Sequence, residues 1–108
     1  MYKTAREAAS YIEELIPLIE GCLSSVYLAV PYTSISSAAK AAKGSGIVIG
    51  AQNMNDARDG AFTGEIAALM LQEAGAELSF WATLRDAIVL GKQIRLLRAK
   101  SFARLPMI

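Results

Sequence analysis

Over residues 5–20 the apolar positions Ala8, Ile12, Leu15 and Ile19 fall at helical spacing, while Arg6, Glu13, Glu14 and Glu20 face elsewhere. This pattern predicts an amphipathic helix. Thr4 with Glu7 three residues on forms a capping-box signature at its start, and Pro17 is expected to kink or end it. Val26-Tyr27-Leu28-Ala29-Val30 is an apolar run without alternation, closed by Pro31, which suits a strand covered on both faces. A small-residue helix follows from Ser34 to Lys43, with Thr33 or Ser34 as its cap and Gly44-Ser45-Gly46 as its end. Ile47-Val48-Ile49 is a second buried strand. Strand, helix and strand with short connections make a right-handed crossover and a parallel sheet. After a polar stretch, a helix is expected from about Ile66 to Ala74, closed by Gly75 and with Glu65 in its first turn.

From about residue 79 the character changes. Trp81, Leu84, Ile88, Leu90, Ile94 and Leu97 mix with Arg85, Lys92, Arg95, Arg98, Lys100 and Arg104, a rough basic amphipathic helix over 80–104. Residues 1–78 carry 5 Lys and Arg against 9 acids, whereas residues 79–108 carry 6 against 1. The chain divides into an acidic body, 1–78, and a basic tail, 79–108.

The whole chain has 108 residues, 54% of them hydrophobic, and a formal charge of +1, which suits one small domain and gives no case for nucleic acid. Charges interrupt the N-terminal segment and no apolar stretch is long enough to cross a bilayer, so neither export nor membrane insertion is expected. Cys22 is the single cysteine and histidine is absent, so there is no internal disulfide and no Cys/His set for zinc. A reducing cytoplasm fits this composition, and with no histidine as its base Cys22 is read as an inert packing residue.

Ile49-Gly50-Ala51-Gln52-Asn53, followed by Gly60-Ala61-Phe62-Thr63-Gly64-Glu65-Ile66, resembles the third strand and following loop of the triosephosphate isomerase family. Ala29-Val30-Pro31-Tyr32-Thr33 resembles the end of the family's second strand, and Met1-Tyr2-Lys3-Thr4 the continuation of its Asn-Trp-Lys-Met motif. The resemblance implies an α/β fold, a partial (β/α)8 barrel of helix, strand, helix, strand and helix, covering about a third of a barrel of roughly 250 residues. It implies interconversion of dihydroxyacetone phosphate and glyceraldehyde 3-phosphate by the intact enzyme, in a homodimer and without a cofactor. In that enzyme a glutamate base and a neutral histidine act under a closed loop. Under the resemblance the first-strand asparagine and lysine would precede Met1, and the base, lid and phosphate-binding glycines would follow Ile108. No catalytic residue is assigned to this chain, no metal site is expected, and it is expected to be inactive alone.

What the resemblance carries over is structural. Gly60, Ala61, Phe62, Thr63, Gly64 and Glu65 correspond to a loop that inserts into the neighbouring subunit, with Thr63 reaching the edge of the neighbour's active site and Glu65 pairing with an arginine across the interface. Gln52 and Asn53 lie near the active site. Each has a plainer reading. Thr63 would serve as an N-cap, and Gln52 and Asn53 would satisfy local backbone groups. Gly44-Ser45-Gly46 lacks the lysine and following helix of a phosphate cradle and reads as a helix terminator. A different class of function is a small non-enzymatic binding module whose basic tail contacts a partner or a membrane surface.

The resemblance stops where the family's Gly-His-Ser-Glu-Arg-Arg strand should follow Ala76. Phe80 ends in a pyrimidine and Trp81 is TGG, so reading one base earlier gives leucine and then glycine, both forced. The next junctions permit histidine, serine, glutamate, arginine and arginine. The shifted frame thus accommodates the missing strand at the missing place. Residues 79–108 are therefore expected to be an out-of-frame reading, a non-native tail made by a gained or lost base. Open sheet edges are expected in either case, since two lone strands leave their outer groups unpaired.

Overall fold

A computed structural model describes residues 2–21, 25–80, 86–89 and 95–98. Helix α1 runs over Ala5–Ile19, strand β1 over Tyr27–Val30, helix α2 over Ile35–Ala42 and strand β2 over Val48–Ala51. Helix α3 (Ala68–Ala74) and strands β3 (Leu78–Phe80), β4 (Asp86–Val89) and β5 (Arg95–Arg98) complete the order. Cys22 and the stretches 81–85, 90–94 and 99–108 of the tail lie outside the described residues.

The capping box forms as its residues dictate. The Glu7 amide donates to the Thr4 hydroxyl at 3.3 Å, satisfying a group that the first turn leaves free. Pro17 lies within α1, which continues to Ile19 before it stops. Helix α2 starts after a single 3-10 turn, Tyr32–Ser34, and neither Thr33 nor Ser34 caps it, since its N-cap Ser34 makes no side-chain capping bond. The reason is geometric: Ser34 holds near-helical angles, φ −104 and ψ −8, which turn its hydroxyl away from the free amides. Gly44 and Gly46 adopt positive φ after α2, and Ser45 folds back onto the Ala42 carbonyl, so this glycine pair terminates the helix.

The sheet order is β1-β2-β3-β4-β5. β1 pairs parallel with β2, Tyr27 opposite Val48 and Val30 opposite Ala51, and β2 pairs parallel with β3, Gly50 opposite Leu78. One face carries the main core, where Ile12, Leu28, Val30, Ile35, Ile49 and Leu71 are buried under the helices. On a second, smaller cluster Ala29 and Leu78 are buried, with Tyr27 and Val48 packed against them. Gly50 has no side chain because Leu78 fills the space beside it. These parallel strands alternating with helices are part of a (β/α) barrel.

The described parts of the tail are strands and not the amphipathic helix that their spacing suggested. β4 pairs antiparallel with β3, and β5 antiparallel with β4. Pairing with an existing sheet overrides the weak helical pattern, as tertiary context does for strands generally. Of the edges expected to be open, that of β2 is covered by β3, which is covered in turn by β4, while β1 stays at the edge of the sheet.

Candidate functional site at the C-terminal ends of the strands

Both candidate clusters follow β2. The Gln52 amide donates to the Val30 carbonyl at 3.1 Å, extending the ladder by one residue. Its side-chain Nε2 donates to the Ala29 carbonyl at 3.2 Å. Gln52 thereby ties the ends of β1 and β2 together, the local backbone role weighed for it above. Asn53 beside it is exposed. Pro31, Tyr32, Gln52 and Asn53 line a cavity of about 160 Å³ at this end of the sheet.

Beyond Asn53 the chain forms a long loop closed at its base. The Asn55 amide donates to the Ile66 carbonyl at 2.8 Å, and the Asn55 side chain accepts from the Ala57 amide at 2.8 Å. Its tip is shaped by two tight turns, from the Phe62 amide to Gly60 and from the Glu65 amide to Phe62, both at 3.0 Å. Gly60 and Gly64 take positive φ there. All of Gly60, Ala61, Phe62, Thr63, Gly64 and Glu65 are exposed, Phe62 to 53%. An aromatic side chain held half in water costs burial energy unless something covers it.

Thr63 is not the N-cap of α3. That helix starts at Ala68 with Ala67 as its uncapped N-cap, because the Asn55–Ile66 closure keeps the chain extended through residue 67. For the same reason Glu65 is outside the first turn, which holds no acid. Phe62, Glu65 and Met70 line one cavity of about 170 Å³ with Arg58 and Asp59, and Met70 is 59% exposed.

Tyr32, which belongs to the second-strand motif but has no site role under the resemblance, joins the clusters. Its hydroxyl is buried without a hydrogen-bond partner among the described residues. Burial first, and then the Glu65 carboxylate, hold its phenol above the usual value of 10.0. Its position directly after Pro31 at a strand end, within that motif, was the available signal. Among the described residues no three of His, Cys, Asp and Glu gather as metal ligands.

An α/β chain with parallel strands, crossover helices and its polar residues at the strands' C-terminal ends belongs to the barrel class, whose sites lie at that face. The triosephosphate isomerase family model matches residues 1–80. Triosephosphate isomerase from Protochlamydia amoebophila (strain UWE25) is 51% identical over 76 residues, 70% of this chain and 29% of the relative. The enzyme so named from Caldanaerobacter subterraneus subsp. tengcongensis is 43% identical over 75 residues, 69% of this chain and 30% of the relative. That from Aquifex aeolicus (strain VF5) is 35% identical over 108 residues, 99% of this chain and 44% of the relative. The chain belongs to the triosephosphate isomerase family. It spans between 29% and 44% of the length of these relatives.

Proposed function

We propose that these residues supply structure and subunit contact to a triosephosphate isomerase and that the 108-residue polypeptide has no isomerase activity by itself. The observation that carries this is the family match over residues 1–80 in a chain without histidine. The family's chemistry uses a glutamate base with a histidine that polarises the carbonyl. Gln52 ties two strands together, and the exposed loop carboxylates Asp56, Asp59 and Glu65 have no histidine in the chain to act with. The substrate pair of the intact enzyme is dihydroxyacetone phosphate and glyceraldehyde 3-phosphate, and its setting is glycolysis in the cytoplasm. The proposed homodimer contact is Gly60 to Glu65. It is supported by the exposure of Phe62 and Met70 on one cavity and by Glu65, which makes no ion pair among the described residues.

The same reading takes residues 79–108 as an out-of-frame tail. The family model ends at residue 80 and the charge balance changes at the same point, which supports it. The alignment with the Aquifex relative crosses that point and counts against it. The coding sequence around codons 76–90 decides: a histidine codon directly after the shifted glycine is expected, and a stop codon in that frame refutes the shift. A partner- or membrane-binding tail loses its physical basis where the expected helix is replaced by paired strands. No helix among the described residues is long and apolar enough to cross a membrane.

The activity test uses the purified full chain with either triose phosphate. The expected rate equals the uncatalysed one. Turnover that stays with the chain after host isomerase is removed overturns the proposal.

A further inference from the structure

Strand β3 has parallel β2 on one side. On its other side the unpaired amides and carbonyls of a sheet edge would invite another chain, since an exposed edge is a template for pairing. Instead β4 lies antiparallel along it, with Leu78 opposite Val89, Ser79 opposite Ile88 and Phe80 opposite Ala87. β5 then lies along β4, with Asp86 opposite Arg98 and Val89 opposite Arg95. Two further observations agree. Leu78 and Ser79 are buried, 2% and 0% exposed, as in an interior strand. The outermost strand, Arg95-Leu96-Leu97-Arg98, carries an arginine at each end, the kind of charge that discourages edge-to-edge association.

We propose that the segment carrying β4 and β5 is the sheet's own edge cover, occupying the side of β3 that a strand of a second copy of this chain would otherwise pair with. The inference goes beyond the family reading and concerns this polypeptide however its tail arose, because it rests on the pairing of these residues. A barrel continues with parallel strands. Here an antiparallel pair takes the place of the next one, so the parallel body ends in a short, charged strand.

The test is made in the full chain with Ala87→Pro and Ile88→Pro. Neighbouring residues of a central antiparallel strand direct their amides to opposite sides, so one of the two prolines removes an amide facing β3. Hydrogen exchange is followed at Leu78 to Phe80, with Leu28 and Ile49 as internal references, and association by sedimentation velocity. In the variant facing β3, exchange at Leu78 to Phe80 is expected to rise at least about tenfold, with the references retained and larger species appearing. Unchanged exchange at β3 and an unchanged sedimentation profile overturn the proposal. If the prolines unfold the whole chain, charge reversal decides. Asp86→Arg sets like charges opposite each other and should speed β3 exchange about twofold to fivefold, and adding Arg98→Asp should restore it. A single reversal without effect, or a double that fails to restore, overturns the proposal equally.

Discussion

Gly50→Ala offers the sharpest test of how the parallel sheet is packed. Gly50 sits in β2 between Ala29 of β1 and Leu78 of β3. A methyl carbon built on it lies 2.8 Å from Leu78 Cγ and 3.0 Å from the Leu78 carbonyl oxygen, and closer still to Cδ1. Gly50 is not among the glycines with positive φ, so the penalty is steric and not conformational. The leucine side chain is the part able to yield, but it is only 2% exposed and has no solvent to swing into. The carbonyl is fixed in the strand. Overpacking of this kind costs about 1–3 kcal/mol. For a domain of this size that lowers the midpoint of thermal unfolding by roughly 10 °C.

The cause is tested by a double-mutant cycle. Leu78→Ala alone leaves a cavity and costs about 2–5 kcal/mol. With Leu78 shortened, the new methyl at position 50 fills vacated space, so the double variant should be more stable than the sum of the singles by about 1 kcal/mol or more. Urea unfolding of all four proteins, followed by far-ultraviolet circular dichroism with equal m-values, gives the coupling. A coupling near zero, or Gly50→Ala as stable as the parent, would refute the contact between position 50 and Leu78.

Three further changes, Tyr32→Phe, Gly75→Ala and Gly44→Ala, probe the rest of the fold and site. Tyr32→Phe removes a buried hydroxyl without a partner and should leave stability at pH 7 unchanged or raise it by up to about 1 kcal/mol. The raised phenol stabilises the folded state only below the unfolded value near 10.0, and that share is lost as pH rises through the higher folded value. The variant's advantage should therefore widen in urea unfolding above pH 10, and a constant difference across that range would count against burial beside Glu65. Gly75→Ala forces a side chain into φ 110 and sets its Cβ 2.7 Å from the Ala39 Cβ, whereas Gly44 at φ 80 faces open space. Both substitutions should destabilise by about 1 kcal/mol for the backbone, and Gly75→Ala by a further increment for the clash; equal losses in thermal unfolding would show that α2 and α3 are not in contact there.

The body of the fold was legible because its signals are local. Thr4 with Glu7 marks a helix start wherever it sits, and the unbroken apolar run before Pro31 requires cover on both faces. The short strand Leu78–Phe80 carries too few residues for a period to show, and it exists because Gly50 and Ala51 pair with it. β4 and β5 are each set by antiparallel pairing with the strand just before, Ala87 with Phe80 and Arg95 with Val89, a partnership that the charge pattern of the tail hides. The candidate site was drawn from motif rather than physics. Spacing alone made Thr63 a cap and put Glu65 in a helix, and neither reading foresaw that a hydrogen bond from Asn55 to Ile66 would hold the chain out of the helix until Ala68.

That hydrogen bond also explains why so short a part of a barrel keeps the loop after β2 in shape. The loop is fixed by Asn55 on Ile66, by the Asn55 side chain on Ala57, and by the turns at Phe62 and Glu65, all within the loop itself. Its root is fixed by Gln52 on Val30 and Ala29, which needs only β1 and β2. No contact with a remote strand is required for the tip to stand clear of the body. Exposure of Phe62 therefore follows from local chemistry, and so does the need for something to cover it. Catalysis has the opposite requirement, since a base, an electrophile and a phosphate site must converge from several strands before any one of them is useful. A local loop and a convergent site respond differently to sequence length. The first is formed by the residues described here, and the second depends on the whole barrel.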